Sequence, residues 1–341
     1  MENATHPAMC DATSAPSRRS RAPVFVLGSP RSGTTYLYHV LLSAGNFAVY
    51  RAESQVFHLL EPRFGDLSIA ANKRRLLHAW FNSRLFTATG LAREQLEKPV
   101  MEECRNGGDF LRIVMEEMAR QQGVGRWAEC TPDHILYLSR INQTIPNALV
   151  IHIIRDGRDA ALSMEKQGWP RRLPWDRTRG RMAAGLYWEW IVKKGRKDGA
   201  RLGSNYIEVR YEDLIAKPLE VLAQLSTFID QKLDYYEIQR VGIGSVNRPN
   251  TSFQRESGDG SFNPIGRWKN LYSPEETAMF EGLVGKTLLD LGYVLETEDI
   301  PRKLSLSAFR LQYLSYFETK FRLRTKTPLG KFLVTGDLSK M

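Results

Sequence analysis

Apolar runs and helical patterns alternate along the chain. Val24–Leu27 is a run of four apolar residues rich in β-formers, residues 148–154 form a longer apolar run, and residues 206–211 predict a third strand. A helical pattern follows each run. Continuous apolar runs are typical of strands that are buried on both faces, and strands that alternate with helices form parallel sheets. The pattern therefore predicts an α/β fold in which helices flank a central parallel sheet.

A long stretch without predicted strands lies between the first two runs. Residues 61–122 show mostly helical spacing of apolar positions, and we expect breaks at Pro62, at Pro99 and at the Gly107-Gly108 turn. None of these residues forms a motif with recognisable chemistry. The stretch is expected to cover the sheet and to shape a pocket.

The composition of the two ends differs from that of the middle. Residues 1–22 are rich in Ala, Ser, Thr and Pro and predict a flexible N-terminal arm. Residues 301–341 are basic and amphipathic. We therefore expect one domain over residues 23–300, with a loose arm before it and a C-terminal extension after it.

The turn after the first strand carries the first candidate chemistry. Gly28 and Gly33 enclose the sequence Ser-Pro-Arg-Ser, and Thr34 and Thr35 begin the next helix. A strand, a Gly loop and a helix N-terminus hold an anion through loop N–H groups and the helix dipole. The spacing matches the phosphate loop GxxxxGK[ST], except that Thr34 replaces the Lys. Since Arg31 is the one cation of this loop, an anionic nucleotide tail would draw its charge from a different position. The alternative is an ordinary Gly turn into a core helix.

The end of the second strand carries related chemistry. Arg155 follows the run at residues 148–154, and Ser163 lies eight residues further on, in the predicted helix. Ligands of open α/β sheets bind outside the carboxyl ends of the strands, where both Arg155 and the first loop would lie. The planar guanidinium of Arg can donate twice to one phosphate. The alternative is an Arg–Asp turn paired with itself.

Composition and charge narrow the class of protein. The 341 residues are 42% hydrophobic and 25% charged, which is typical of a globular chain. The net charge of +10 suits an anionic cofactor, an acidic acceptor, a membrane surface or nucleic acid, without choosing among them. Three cysteines without CxxC spacing favour a reducing compartment, and hence the cytoplasm. We expect no metal site, secretory signal or transmembrane helix, and no nucleic-acid partner.

The loop and the strand-end segment resemble those of sulfotransferases that use 3′-phosphoadenosine 5′-phosphosulfate (PAPS), in particular the bacterial and tyrosylprotein types. The phosphosulfate loop of that family reads like PRSGTT. The resemblance implies that Arg31, Ser32, Gly33, Thr34 and Thr35 bind the phosphosulfate. It also implies a P-loop-like three-layer fold and a metal-independent reaction.

The resemblance assigns further residues to the nucleotide. Arg155 and Ser163 match the pair that holds the 3′-phosphate in the family. Tyr211, in the RYEDL-like segment, matches a Tyr that contacts the adenine. Arg155 and Ser163 would thereby select PAPS over ATP.

Glu53 is the candidate catalytic base. Its segment, RAESQ, resembles the family pattern GEET, whose Glu takes the proton of the acceptor hydroxyl. Arg31 is the second candidate catalytic residue, because its charge and the loop N–H groups would stabilise the transferring sulfuryl group. The alternative for Glu53 is a solvated surface residue. His58 is a second candidate base without a motif around it.

The chain departs from the family pattern at Cys130. The segment WAECTPDH resembles W-x-E-K-T-P, in which the Lys helps to neutralise the bridging oxygen as sulfate leaves. Cys130 stands at that Lys position, and we expect a small buried residue there rather than a nucleophile. His134 could serve as a base, but a histidine bonded to Asp133 or to the backbone is the simpler expectation.

A Gly- and Ser-rich stretch predicts a lid over the cofactor. Residues 246–270 end in a segment similar to the G-x-W-K-N of cytosolic sulfotransferases. Residues 263–265 do not reproduce the basic RKG that precedes that segment in the family. Lys269, Arg255 or Arg267 could substitute for it, and Lys269 is the residue that we assign to the cofactor.

The sequence thus predicts sulfuryl transfer from PAPS to a hydroxyl group, or to an amine, with 3′-phosphoadenosine 5′-phosphate (PAP) as the product nucleotide. Lipid, glycan, protein tyrosine and small molecules all remain open as acceptors. A P-loop-type kinase that requires Mg²⁺ is one alternative. The other is a sulfotransferase fold that binds without turnover, for which a Cys130→Lys variant with greatly raised activity would be the sign.

The basic extension has two interpretations. Its aromatic and leucine positions alternate with Arg and Lys, as in a helix that lies on an anionic membrane. The same pattern suits a helix packed against the domain. The first interpretation predicts a peripheral membrane contact and leans towards a lipid-linked acceptor.

Overall fold

Five parallel strands form one sheet in the order β2-β3-β1-β4-β5. The structure is a computed structural model that describes residues 18–176, 178–247, 263–297 and 304–326. The strands are β1 (Val24–Leu27), β2 (Phe47–Ala48), β3 (Arg126–Glu129), β4 (Leu149–Ile154) and β5 (Tyr206–Arg210).

Helices fill the connections between the strands and cover both faces of the sheet. The α-helices in chain order are α1 (Thr34–Ser43), α2 (Glu61–Phe64), α3 (Ala70–Phe81), α4 (Arg84–Thr87), α5 (Arg93–Glu103), α6 (Gly107–Gln121), α7 (Leu138–Thr144), α8 (Gly157–Lys166), α9 (Gly180–Gly199), α10 (Tyr211–Ala216), α11 (Pro218–Ile229), α12 (Tyr235–Val241), α13 (Trp268–Leu271), α14 (Pro274–Asp290) and α15 (Leu304–Lys326). A π-helix spans Val56–Leu60, and 3₁₀ helices span Pro132–Tyr137, Ala200–Asn205 and Gly244–Val246.

The predicted α/β fold with a central parallel sheet is confirmed. The three predicted strands are β1, β4 and β5, although β5 ends at Arg210 and Tyr211 begins α10. The predicted break at Pro99 is wrong, because Pro99 lies inside α5. That helix continues past the proline since Leu96 and Val100 on either side of it are fully buried in the core.

Pairing places β1 at the centre of the sheet. Val24 lies opposite Ala128 of β3 and opposite Leu149 of β4. All strands point the same way, so the segments that follow β1, β3 and β4 meet at one edge. Because that edge is the carboxyl end of the strands, it is where an α/β sheet offers a ligand site.

The C-terminal helix α15 packs against the domain. Phe309, Tyr313 and Phe317 on one face of α15 are buried in the cluster that α9 and α14 also form. The apolar face of α15 is therefore occupied by the protein itself, as the second interpretation of the extension expects. In the described ranges, no helix is long and apolar enough to span a bilayer.

Candidate active site

The loop after β1 has the backbone of an anion-binding turn. Arg31 and Gly33 have positive φ angles, 68° and 95°. Helix α1 starts directly after Gly33, and its first turn contains no acidic side chain. Since the first N–H groups of a helix have no partner within the helix, they point together with the loop N–H groups at one place. The loop is built to receive a negative charge at the N-terminus of α1.

Hydrogen bonds join this loop to the segment after β4. The Nε of Arg31 donates to the Oγ of Ser163 at 2.7 Å. The Nη1 of Arg155 donates to the carbonyl oxygen of Arg31 at 3.0 Å. The structure thus brings Arg31, Arg155 and Ser163 together, as the sequence predicts from two separate segments. One ligand could touch all three.

Arg155 is a buried cation that forms no ion pair in the part of the chain that the structure describes, although its charge acts on the nearby carboxylate of Asp159. Its guanidinium lies 4.8 Å from the centre of the Tyr211 ring, and its Nη2 donates to the carbonyl oxygen of Pro264 at 2.5 Å. The Nε of Arg155 and the Oγ of Ser32 are buried without a hydrogen-bond partner in the described chain. A buried cation and two unpartnered polar atoms beside an anion-binding loop fit a phosphate-bearing ligand.

Glu53 lies at the edge of this group. Its side chain is exposed, and the Nε2 of Gln55 donates to its Oε2 at 2.7 Å. Partial desolvation, with the nearby carboxylates Glu129 and Asp133, raises the pKa of Glu53 to about 7. Glu53 in turn acts electrostatically on Arg31, whose pKa is lowered by burial and by Arg155. A carboxylate with such a pKa can accept a proton near neutral pH.

The Glu53 segment is held in place by a buried network around Glu129. Ser54 donates to the Oε1 of Glu129 at 2.8 Å, and the backbone N–H of Thr131 donates to the same atom at 3.0 Å. His134 Nδ1 lies 3.1 Å from the Oε2 of Glu129. Burial alone would raise the pKa of Glu129, but His134 and the hydroxyl donors lower it below its ordinary value. The network fixes the backbone that carries Glu53.

His134 belongs to the network around Glu129, and Cys130 follows Glu129 in the chain. His134 accepts a hydrogen bond from the N–H of Phe57 at 3.2 Å and contacts Glu129, so both ring nitrogens are in use. It is bonded to the backbone, as expected, but to Glu129 rather than to Asp133. Cys130 is buried with a free thiol, and burial raises the pKa of that thiol well above its ordinary value. The expectation of a small buried residue there is met.

The contacts that the structure gives Lys269 do not involve the loop after β1. Its Nζ pairs with Glu296 at 2.8 Å and lies 5.5 Å from the centre of the Trp268 ring. The segment around it is anchored on α8, because Asp159 accepts from the N–H groups of Gly266 and Trp268 at 2.7 and 3.1 Å. The role of Lys269 at the cofactor stays a prediction. Arg255 and most of the predicted lid lie outside the described residues.

Three positioning residues escape sequence reasoning. Asp159 holds the segment after the lid, Glu129 holds the segment of Glu53, and Arg158 lies 3.8 Å from the centre of the Trp268 ring. Glu129 is the Glu of the WAECTP segment, so the motif contained the signal. Several charged residues follow β4 in the sequence. Only the contacts in the structure distinguish the positioning residues Arg158 and Asp159 from the candidate ligand residue Arg155.

A substitution at Gly33 tests whether the loop must approach Tyr211 this closely. An added Cβ at Gly33 would lie 2.3 Å from Cδ2 of Tyr211, whereas a Cβ at Gly45, also at positive φ, would meet nothing within 4 Å. Gly45→Ala should cost about 1–2 kcal/mol of stability from backbone strain alone. Gly33→Ala should cost about 1–3 kcal/mol more from overpacking and lower PAP affinity at least about tenfold. Thermal unfolding and calorimetry measure both; equal behaviour of the two variants would contradict the packing argument.

Comparisons with known proteins bear on the family and the fold of this chain. A model described as the sulfotransferase family matches residues 23–235. A comparison with curated proteins finds no match. Among solved structures, the sulfotransferase domain of the curacin biosynthetic pathway is similar, with a TM-score of 0.52 and 18% identity, over 80% of this chain and 98% of that one. This likeness shows the fold.

Two further solved structures are more distantly similar. The sulfotransferase domain of the Synechococcus PCC 7002 olefin synthase has a TM-score of 0.48 and 16% identity, over 87% of this chain and 94% of its own. A mouse sulfotransferase crystallised with PAP has a TM-score of 0.41 and 14% identity, over 87% and 89%.

Proposed function

The chain belongs to the sulfotransferase family, whose members transfer sulfur-containing groups, and we propose that PAPS is its donor and a hydroxyl group its acceptor. One observation carries the proposal. The anion-binding loop and the segment after β4 meet through Arg31, Ser163 and Arg155. Two phosphate-type sites in contact suit a nucleotide with phosphate groups at both the 5′ and the 3′ position.

The nucleotide site is formed by residues from three segments. Ser32, Gly33, Thr34 and Thr35 offer N–H groups and hydroxyls to the 5′-phosphosulfate. Arg155 and Ser163 bind the 3′-phosphate, and the fork of Arg155 can turn its unpartnered Nε towards it. Tyr211, which packs against Gly33 and Arg155, forms the wall beside the adenine.

PAPS supplies an activated sulfuryl group, which passes to the acceptor oxygen while the bond to the phosphate oxygen breaks. Glu53 takes the proton of the acceptor hydroxyl. Arg31 and the N–H groups of the loop stabilise the negative charge that grows on the departing phosphate. Because Cys130 occupies the position of the family Lys, Arg31 stabilises that charge without the help of a Lys at this position.

The acceptor class is the open part of the proposal. A lipid, a glycan, a protein tyrosine or a small molecule, including an amine, would satisfy the chemistry of Glu53. Peripheral membrane contact also stays a prediction. It would have to use the exposed basic residues of α15, since the apolar face of that helix is packed against the domain.

Transfer of label from ³⁵S-PAPS to a panel of phenols, sterols, glycans and tyrosine peptides tests the proposal. We expect labelled product with at least one class, in the presence of a metal chelator. Phosphorylation of an acceptor from ATP and Mg²⁺, without sulfation, would indicate the kinase alternative. Tight PAP binding without any turnover would indicate the non-catalytic alternative, and Cys130→Lys would then be expected to restore activity.

A further inference from the structure

A partly open cavity of about 230 Å³ lies beside the candidate active site. It is bounded by α9, α15, the π-helix, the 3₁₀ helix Pro132–Tyr137 and the segment after α8. Seven of the side chains that line it are those of Tyr, Trp or Phe: Tyr137, Trp169, Tyr187, Trp190, Tyr316, Phe317 and Phe321. Pockets for drug-sized ligands hold roughly 300–1,000 Å³, so this cavity suits a smaller molecule with one or two rings.

The walls of the cavity continue the segments that form the active site. The segment of Glu53 runs directly into the π-helix, where His58 lines the cavity. The segment of Cys130 runs into the 3₁₀ helix, where Asp133 does the same. These two segments are hydrogen-bonded to each other, since the N–H of Gln55 donates to the Oγ1 of Thr131 at 3.3 Å. Glu53 is not itself a lining residue, but the Asp133 carboxylate of the lining is one of the charges that raise the pKa of Glu53, so the cavity lies near the candidate base.

Positive charge dominates the polar part of the lining. Arg171, Lys320 and Arg324 line the cavity together with the single carboxylate of Asp133. Burial raises the pKa of Asp133, although Arg324 and the Tyr187 hydroxyl oppose that shift. The cavity is thus an aromatic chamber with an excess of cations, which favours an anionic occupant.

Two polar atoms of the lining lack partners. The Nδ1 of His58 and the Nε of Arg324 are buried without a hydrogen-bond partner in the described chain. Arg324 does donate through Nη2 to the carbonyl oxygen of His58, which holds its guanidinium at the cavity. Buried groups of this kind are normally satisfied, so these atoms indicate a polar ligand.

We propose that this cavity binds the acceptor, and that the acceptor is a small aromatic hydroxyl compound with a carboxylate or similar anionic group. The inference rests on the proposed sulfuryl transfer and names its substrate class. The ring packs among the aromatic side chains, the anionic group lies with Lys320 and Arg324, and the hydroxyl reaches Glu53.

The proposal makes α15 a specificity element. Five of the lining residues belong to α15: Tyr316, Phe317, Lys320, Phe321 and Arg324. That helix lies beyond residues 23–235, the part of the chain that the family model matches. The acceptor preference is therefore a property of this chain and does not follow from family membership.

Three phenols with the same ring and different tails test the charge preference: 3-(4-hydroxyphenyl)propionate, 4-propylphenol and tyramine. Binding is measured by calorimetry on the PAP complex, and kcat/KM is measured with PAPS. We expect the affinity and the kcat/KM of the carboxylate compound to be about ten- to a hundredfold higher than those of the ammonium compound, with the values for the neutral phenol between them.

Matched variants locate the preference. Lys320→Gln and Arg324→Gln should each reduce the carboxylate preference several-fold while PAP affinity is kept. Arg322→Gln, on the same helix but paired with Glu318 and outside the cavity, should leave the preference unchanged. If Arg324→Gln does not fold, Lys320→Gln decides.

The outcomes separate the two levels of the argument. Equal binding of the three phenols, or a carboxylate preference that is unchanged in Lys320→Gln, would overturn the acceptor inference. If the same protein binds PAP, the proposed function is unaffected by that result. A wild-type chain that does not bind PAP would overturn both.

Discussion

Arg155→Ala is expected to lower the affinity for PAP by about thirty- to a hundredfold and to leave the affinity for ADP nearly unchanged. Hydrogen bonds to charged groups contribute about 1.5–3 kcal/mol each, and a factor of ten corresponds to about 1.4 kcal/mol. Arg155 is buried and forms no ion pair within the described residues, so its guanidinium is available to a 3′-phosphate. Because ADP lacks that phosphate, it loses little. Calorimetry with both nucleotides measures the difference.

Two variants control for trivial effects of the Arg155 substitution. Arg155→Lys keeps the charge but loses the fork, so it should fall between wild type and alanine. Arg240→Ala removes an exposed Arg that pairs with Glu237 at the surface, and it should bind PAP normally. Equal losses for PAP and ADP in Arg155→Ala would show that Arg155 only supports the loop, through its bond to the Arg31 carbonyl.

Glu53→Gln is expected to lower kcat by about 10²- to 10⁴-fold with little change in PAP affinity, which is the contribution typical of a general base. The glutamine keeps the size of the side chain and cannot take the proton. Glu220→Gln, which removes an exposed carboxylate at the far surface pair with Lys217, should leave kcat unchanged. A Glu53→Gln variant with near-normal kcat would make His58 the residue to test next.

The pH dependence of the same reaction follows from the raised pKa of Glu53. The base form is the deprotonated carboxylate, and its pKa is raised to about 7 by partial desolvation and by Glu129 and Asp133. The acid limb of kcat/KM should therefore rise with pH and level off above about 7. In Glu53→Gln that limb should be lost. An acid limb with its midpoint near 4.5, the ordinary value for Glu, would contradict the raised pKa of Glu53.

The nucleotide side of the site is readable in the sequence because it consists of local motifs. Strand, Gly loop and helix start are consecutive in Val24–Leu27 and the residues after it, and Arg155 and Ser163 lie within one turn and one helix. The fold class follows for the same reason, since buried parallel strands leave continuous apolar runs. β2 leaves no such run because it has only two residues, and β3 leaves none because Arg126 and Glu129 occupy its two ends.

The proposed acceptor site consists of residues that are distant in the sequence, which is why the sequence alone does not identify the acceptor. The cavity joins His58, Asp133 and Arg171 to residues of α15 that lie more than a hundred positions further along the chain. The amphipathic pattern of α15 fits packing and membrane contact equally well, and only the burial of Phe309, Tyr313 and Phe317 separates them. Glu129 belongs to the WAECTP segment, but its role as the anchor of Ser54 and Thr131 depends on tertiary contacts that the sequence does not show.

Calorimetric titration with PAP and with ADP, both in the presence of a metal chelator, distinguishes a site for a 3′-phosphate from a general nucleotide site. We expect tight binding of PAP and binding of ADP weaker by about thirty- to a hundredfold, because the Arg155 site is filled only by a 3′-phosphate. Tighter binding of ADP than of PAP, or binding that appears only when Mg²⁺ is added, would contradict PAPS as the donor.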